Sequence, residues 1–514
     1  MLTTSLPVVL SLTAAGLVLF RVIVRFRVSR RNAAKAKALK CEELPFERNR
    51  WPLGIDNLLR TLAADREKCF PEDMIERFKA LKTSIEVLGT RNLRTGDPKN
   101  IQAILATHFI SFQRIIILRG TTNPRTRVDQ VSDLDLEERH VQNMMSLLEP
   151  LIGPDGWTPA IDLLPYFFRL ALDSATEFLF GESVNSQLQH LPSHHNSSSD
   201  KIGSLEAQFA PAFDTAQRAL ATRRRFMDKH WVYDTRGFRE PCRIVHEFVD
   251  HFVQLALSKG QRPDQKEKDA EAAGDKGRYI FLDALAAHTQ DPTELRSELL
   301  HILLATRDTT ASPLGWSKHP PTPFPLPPPL DPPHTYLPLR TTILSHFGPY
   351  ASPAPIIFST LKSYARLQHV AAETVRLFPP VPFNSRYANK DTTLRRDGGK
   401  DGMTPVFVPK GSSVDYSVHV MQRREEVWGG DAGGRPGRWG EERVGEGGGW
   451  GCVPSLCRAA SSRLTEACYV TARLVQRFDK IERMMEEGER VRHNLTLTNT
   501  IGNGVKVRLY AAEG

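Results

Sequence analysis

Three short motifs along the chain carry side chains that could take part in chemistry. The first is an acid followed by two alcohols, Asp308-Thr309-Thr310, in an apolar helical run that begins near Leu299. A carboxylic acid is costly to bury and threonine is a poor helix former, so this motif is unusual on a buried helix. A carboxylate beside a hydroxyl can relay protons to a reacting group, whereas the structural alternative is a helix end at which Asp308 or Thr309 is a cap. On these residues alone, both interpretations stand.

The second motif is Glu373 followed three positions later by Arg376. Residues at this spacing share one face of a helix and can form an ion pair. Prolines follow directly at 379, 380 and 382, and they predict that the helix ends there. On its own, the motif is nonspecific, and an exposed surface pair is the default interpretation.

The third motif is a cysteine, Cys457, eight residues before Thr465, where the sequence predicts a helix that runs to about Met484. A thiolate just upstream of a helix N-terminus is electrostatically favoured and can bind a metal. An incidental structural role is the commoner alternative for a single cysteine. Cys452 competes with Cys457 as a ligand, and Cys468 within the helix is assigned to packing.

The composition indicates the scaffold that must position these motifs. The chain has 514 residues, of which 40% are hydrophobic and 25% are charged, so a collagen-like, disordered or multi-span membrane protein is excluded. Six cysteines make no disulfide framework, which favours a reducing compartment. Apolar residues recur every three to four positions and predict a mainly α body, with helices over 70–82, 135–148 and 162–180. Strands are predicted near 406–408 and 414–420, on either side of a Pro-Lys-Gly turn.

The N-terminus has the pattern of a membrane anchor. Leu6 to Phe20 is almost purely apolar, and Val22 to Val24 extends the run to the length of one bilayer core. The basic residues follow this run, so the positive-inside rule predicts a cytosolic body. We therefore assign 1–40 to the anchor and its basic stop-transfer segment and 41–514 to the body; a cleaved signal or a buried helix are the alternatives.

The net charge gives little support to nucleic-acid binding. The chain carries a formal net charge of +9, but eight basic residues and no acid lie in residues 1–40, which leaves the body close to neutral. No nucleic-acid partner is expected.

Taken together and in this order, the anchor, the Asp-Thr-Thr motif, the Glu-x-x-Arg motif and the late cysteine resemble the cytochrome P-450 superfamily of haem-thiolate monooxygenases. The segments 162–181, 308–316 and 367–428 are similar to the fungal branch that hydroxylates alkanes and fatty acids. The resemblance implies a mainly α fold with small β-sheets, preceded by one N-terminal transmembrane helix.

The resemblance also implies a role for each residue of the site. Cys457 would be the axial thiolate ligand of the iron of haem b. Asp308 and Thr309 would supply protons during oxygen activation. Arg386 would contact a haem propionate.

Partners and location follow from the same resemblance. Glu373 and Arg376 would form a structural ion pair joined by Arg438. Electrons would come from NADPH through NADPH-cytochrome P-450 reductase, and the substrate would be lipophilic. The location implied is the endoplasmic reticulum membrane, with the catalytic body in the cytosol.

Several segments depart from the family pattern, near 113–131, 313–338 and 429–463. The residues around Cys457 match none of the family's glycine and arginine positions in the haem loop. In the Asp-Thr helix, Thr306 replaces the usual glycine, and Pro313 predicts a kink at Thr309 because it cannot donate a hydrogen bond to that carbonyl. Stretches of sequence that do not resemble the family, between stretches that do, are typical of retained introns or shifted reading frames. The alternative hypothesis is therefore a non-catalytic, membrane-anchored remnant that binds no haem.

If Cys457 is the ligand, Cys457→Ser abolishes the haem-thiolate absorption spectrum and Cys452→Ser leaves it intact. The measurement is the carbon monoxide difference spectrum of the reduced protein in membranes. The reverse result would move the assignment to Cys452.

Overall fold

The computed structural model gives a mostly helical protein with four small β-sheets among its described residues. The residues that it describes are 5–47, 49–81, 84–114, 134–190, 201–260, 280–317, 336–428, 454–484, 489 and 491–512.

The helices are numbered here in chain order. The first eight are α1 Ser5–Ala38, α2 Ile55–Arg66, α3 Phe70–Leu81, α4 Pro98–Gln102, α5 Leu134–Leu148, α6 Leu164–Phe180, α7 Lys201–Arg225 and α8 Arg236–Gly260. The next eight are α9 Phe281–Ala286, α10 Pro292–Ser317, α11 Tyr336–Phe347, α12 Phe358–Ser363, α13 Ala365–Leu377, α14 Val418–Met421, α15 Glu425–Trp428 and α16 Pro454–Arg477.

The strands are short and lie mostly in the second half of the chain. They are β1 Ser84–Val87, β2 Thr90–Thr95, β3 Phe112–Arg114, β4 Ile161–Asp162, β5 Phe383–Ala388, β6 Thr392–Gly398, β7 Thr404–Val408, β8 Ser413–Ser417, β9 Phe478–Arg483, β10 His493–Leu495, β11 Asn499–Ile501 and β12 Lys506–Ala511. The largest sheet has the order β1-β2-β8-β5-β3, and β12 lies between β4 and β9 in a second sheet. The pairs β10-β11 and β6-β7 form the other two.

Helix α10 runs through the centre of the protein and packs against α6, α8, α13 and α16. Around its C-terminal half lies a core of buried side chains that includes Phe167, Leu314 and Val475. A second core, with Phe209 and Phe248, surrounds its N-terminal half. Because α10 is covered on most sides, any polar side chain in its middle is withdrawn from water.

Local signals explain where several helices end. Helix α6 ends at Gly181, whose φ of 83° is the left-handed conformation of a helix C-cap. A Cβ there would come 2.7 Å from the side chain of Ile280, so a larger residue would also clash. Helix α13 ends at Leu377, directly before the prolines, as predicted.

The structure confirms the predicted helices over 70–82, 135–148 and 162–180, with shifts of one or two residues at their ends. Both predicted strands are present. They lie in different sheets, because β7 pairs with β6 whereas β8 pairs with β2 and β5. The expected strand over 414–420 stops at Ser417, where α14 begins.

Helix α16 corrects another prediction. The helix begins at Pro454 and ends at Arg477, whereas the sequence predicted a start near Thr465 and an end near Met484. Residues 478–483 instead form β9, which pairs with β12 in the second sheet. A period of three to four residues cannot locate this change, because buried apolar residues continue into the strand.

The predicted membrane-spanning helix in residues 1–40 is not supported. These residues lie largely in α1, which contains Arg21, Arg25 and Arg27 in its middle. Among the helices whose residues are described, none has both the length and the apolar character that crossing a bilayer requires.

Parts of the predicted atypical segments lie outside the described residues. They are 115–133, 318–335 and 429–453, together with the side chains of 454–463. Arg438 and Cys452 belong to this set.

Replacement of Phe209 tests the second core. Its side chain is fully buried, and its ring lies 4.2 Å from that of Phe248 and 5.6 Å from that of Phe213. Phe209→Ala should lower the free energy of unfolding by about 3–5 kcal/mol, because it leaves a cavity in a packed core. Urea unfolding followed by circular dichroism measures it. The control is Trp231→Ala at a side chain that is 66% exposed, where we expect a small change; equal losses for the two variants would contradict this core.

Candidate active site

The acid and alcohol of the first motif lie in the interior of α10. Asp308 and Thr309 are several turns from the N-terminal end of the helix at Pro292 and two turns from its end at Ser317. The helix-cap interpretation is therefore wrong. Asp308 is buried and Thr309 is half-buried, so the two polar residues lie in a part of the helix that is largely shielded from solvent.

The carboxyl group of Asp308 has two different oxygen environments. Its Oδ2 accepts a hydrogen bond from the hydroxyl of Thr498 at 2.6 Å. Its Oδ1 lies 3.6 Å from a guanidinium nitrogen of Arg307. Burial raises the pKa of Asp308 above its ordinary value, while Arg307 and the Thr498 hydrogen bond act in the opposite direction. The result is a carboxyl group that takes up a proton more readily than an exposed aspartate.

The hydroxyl of Thr309 is used inside the helix. It donates to the carbonyl of Ala305 at 2.5 Å and lies 3.4 Å from that of Thr306. Helix α10 continues through Pro313 to Ser317, so the proline does not end it. The kink at Thr309 stays a prediction.

The third alcohol links two helices. The hydroxyl of Thr310 donates to Glu466 Oε2 at 2.9 Å, and both side chains are buried. Glu466 is on α16, so this bond fixes the helix that contains Cys457 against the helix that contains Asp308.

The position of Cys457 differs from the prediction. Because α16 begins at Pro454, Cys457 lies within its first turn and not in a loop upstream of it. The side chains of Cys457 and Cys452 lie outside the described residues. The role of Cys457 as axial ligand therefore stays a prediction.

The structure confirms that Glu373 and Arg376 form an ion pair, and that the pair is buried and not at the surface. Arg376 makes two parallel bonds to the carboxylate, Nε to Oε2 at 2.8 Å and Nη2 to Oε1 at 2.9 Å, and both side chains are 0% exposed. The remaining terminal nitrogen donates to the carbonyl of Gln422 at 2.6 Å. The ring of Trp428 lies 4.7 Å from the guanidinium. The pair thus ties α13 to the segment around α14 and α15.

Arg386 lies in β5 and is buried. One terminal nitrogen donates to Asn384 Oδ1 at 3.2 Å and to the carbonyl of Ser385 at 2.8 Å. The guanidinium lies 5.7 Å from the ring centroid of Tyr416 in the neighbouring strand β8. A buried cation with these partners offers positive charge to an acidic group.

These residues fit a haem in their chemistry. Arg386 is a buried cation of the kind that a propionate requires. The bond between Thr310 and Glu466 brings the helix of the candidate thiolate against the helix of the candidate acid and alcohol. A cysteine thiolate is one of the ligands that haem iron takes, and a buried guanidinium can pair with a propionate.

Sequence reasoning missed a second group of buried polar residues near α10. His493 bonds to Glu72 at 2.8 Å, and His419 lies 2.8 Å from a guanidinium nitrogen of Arg423. Burial holds the pKa of His419 well below its ordinary value and lowers the pKa of Arg423 to about 9. The ring of Trp316 of α10 lies 4.9 Å from that of His493, tilted by 39°. Glu72 and His493 are far apart in the chain and leave no local signal, whereas the spacing of four between His419 and Arg423 was a signal that could have been found.

No model of a protein family matches the chain. Individual relatives do. The chain is 53% identical to cytochrome P-450 monooxygenase g430 of a Fusarium species, over 96% of this chain and 88% of the relative. It is 35% identical to cytochrome P-450 monooxygenase alt2 of Alternaria solani over 96% of both chains, and 36% identical to cytochrome P-450 52A10 of Candida maltosa over 82% of both.

The mostly helical fold and these relatives define a class, the haem-dependent monooxygenases. The chain belongs to the cytochrome P-450 family, whose members incorporate molecular oxygen into their substrates. The resemblance drawn from the motifs is confirmed, and the alternative of a non-catalytic remnant is not favoured.

Removal of one partner tests the buried ion pair. Glu373→Gln leaves the Arg376 charge uncompensated, and we expect it to lower the free energy of unfolding by about 3–5 kcal/mol. Urea unfolding measures the change. Glu240→Gln is the matched control, because Glu240 pairs with Arg243 at the same spacing on an exposed face; no measurable change is expected there. A loss no larger than the control's would show that the pair is not needed for stability.

Proposed function

We propose that the protein is a haem-dependent monooxygenase that inserts one atom of dioxygen into a lipophilic organic substrate, an alkane, a fatty acid or a secondary metabolite. The electrons come from NADPH through NADPH-cytochrome P-450 reductase. The observation that carries this proposal is the buried Asp308 followed by the half-buried Thr309 on α10, a helix fixed against α16 through Thr310 and Glu466. Residues 41–514 form the catalytic body.

The proposal assigns a task to each residue of the site. Cys457 would hold the haem iron, and Arg386 would hold a propionate. Haem, when bound, supplies the redox chemistry that activates dioxygen. Asp308 holds a proton at its carboxyl group, which burial favours, and Thr309 offers a hydroxyl one position further along the helix.

The surroundings of the acid support a lipophilic substrate. The rings of Phe168 and Phe213 lie 4.7 Å and 5.4 Å from the guanidinium of Arg307, beside Asp308. Rings packed at this point exclude water from the neighbourhood of the acid, and an apolar substrate loses less hydration than a charged one on approaching it.

We further propose that α1 attaches the protein to the endoplasmic reticulum membrane, with the catalytic body on the cytosolic side. Leu12, Leu17 and Phe20 are each more than 60% exposed, and Arg25 and Arg27 follow them in the same helix. Exposed apolar side chains next to basic residues favour attachment to a lipid surface that carries negative charge.

The test of the proposed function is haem binding followed by turnover. The reduced protein in membranes should give a red-shifted Soret band with carbon monoxide, and with reductase, NADPH and a long-chain fatty acid it should form a hydroxylated product. Asp308→Asn should keep the haem spectrum and lower the rate of product formation by about 100-fold, because it removes the proton donor.

The control for this variant is Ser297→Ala on the same helix, where the hydroxyl donates to the carbonyl of Thr293 within the helix at 2.7 Å. Its rate should match that of the unchanged protein. Absence of any haem signal would overturn the proposed function. A normal haem spectrum with unchanged turnover in Asp308→Asn would overturn the role of the acid alone.

A further inference from the structure

The carboxyl group of Asp308 is held by a residue from the far end of the chain. Thr498 lies in the turn between β10 and β11, and its hydroxyl donates to Asp308 Oδ2 at 2.6 Å. The two residues are 2% and 4% exposed, so water does not compete for this bond. Oδ1 faces the guanidinium of Arg307 at 3.6 Å, and the side chain of Gln217 on α7 also acts on the carboxyl group. The two oxygens of this carboxyl group therefore have different surroundings, and Oδ2 is the one that accepts from the Thr498 hydroxyl.

The position of Thr498 is fixed by the hairpin around it. Its carbonyl accepts a hydrogen bond from the backbone N–H of Thr496 at 2.9 Å, which closes the turn. The next residue, Asn499, offers its carbonyl to α10, where the hydroxyl of Ser312 donates at 2.7 Å and the indole of Trp316 lies at 3.5 Å. The hairpin is thus docked on the same helix that carries Asp308. A hydroxyl on such a support is oriented before any reaction begins.

We propose that Thr498 is a positioning residue for the proton transfer assigned to Asp308. Its O–H holds Oδ2, so the carboxyl group presents Oδ1 as the oxygen that takes up and releases the proton. This inference rests on the proposed function, because that function gives Asp308 its role.

The charged groups that face Asp308 are few. Arg307 is adjacent, and its guanidinium also bonds to Asp214 of α7 at 2.6 Å, so its charge is shared. On α16, the nearby acid is Glu466, which accepts from Thr310. Burial and Asp214 raise the pKa of Asp308, whereas Arg307, Thr498 and the side chain of Gln217 lower it. Loss of the Thr498 hydroxyl should therefore raise the pKa of Asp308 further, and the protonated form should persist to higher pH.

The experiment compares Thr498→Val with Thr500→Val in the full-length protein. Thr500 belongs to the same hairpin and is also buried, but its hydroxyl bonds to Asn494 within the hairpin at 3.3 Å. The first readout is an infrared titration of the Asp308 carboxylic acid band, assigned by its absence in Asp308→Asn; it does not depend on turnover. In Thr498→Val this band should disappear at a higher pH than in the unchanged protein, and Thr500→Val should leave it in place.

The second readout is the ratio of hydroxylated product to NADPH consumed as a function of pH. Thr498→Val should lower this ratio by about threefold to tenfold, the effect of one lost hydrogen bond, and move its pH dependence in the direction of the infrared titration. Thr498→Ser keeps the hydroxyl and should restore both. If Thr498→Val does not fold, Thr498→Ala removes the same hydroxyl and takes its place.

The outcomes separate the two proposals. An infrared band and a pH profile in Thr498→Val that match those of Thr500→Val would overturn the role of Thr498 while the proposed function stands. Unchanged turnover in Asp308→Asn would show that the acid itself has no role. The positioning role is supported if the infrared band shifts in Thr498→Val but not in Thr500→Val, and if Thr498→Ser returns the band to its original pH dependence.

Discussion

The bidentate pair between Glu373 and Arg376 is the interaction on which the rest of the structure depends. Both side chains are withdrawn from water, so each charge requires the other. Through Arg376 the pair also takes the carbonyl of Gln422, which fixes the segment after β8 against α13. Strand β8 lies in the middle of the largest sheet, beside β5 and its Arg386, so one buried ion pair aligns the helical layer with the sheet that carries the candidate cation.

Much of the helical body could be predicted, because its signal is local. The helices over 70–82 and 135–148 follow from apolar spacing, and the end of α13 follows from the prolines after Leu377. The boundary of α16 could not be found in this way. Apolar residues continue past Arg477 into β9, so periodicity alone cannot separate the helix from the strand.

The residues of the candidate site could be proposed from the sequence, but the contacts between them could not. The Asp-Thr pair and the Glu-x-x-Arg pair each lie within a few residues, and their types and spacing already indicate a role. The bonds from Thr498 to Asp308 and from Thr310 to Glu466 join residues that are far apart in the chain. A single sequence does not show which distant residues come into contact. Any threonine of the chain could donate such a hydrogen bond, and the fold determines which one does.

The parallel pairing of β2 with β8 has a consequence for the synthesis of the protein. Leu93 of β2 lies opposite Val414 of β8. During synthesis β2 therefore cannot pair with β8 until the ribosome has translated the later part of the chain. At about 5–20 residues per second, a ribosome needs roughly tens of seconds to cover that interval. Throughout it, β2 exposes an unpaired edge, to which other extended chains can bind. The final strand order of this sheet is therefore reached late in synthesis, after β8 has emerged.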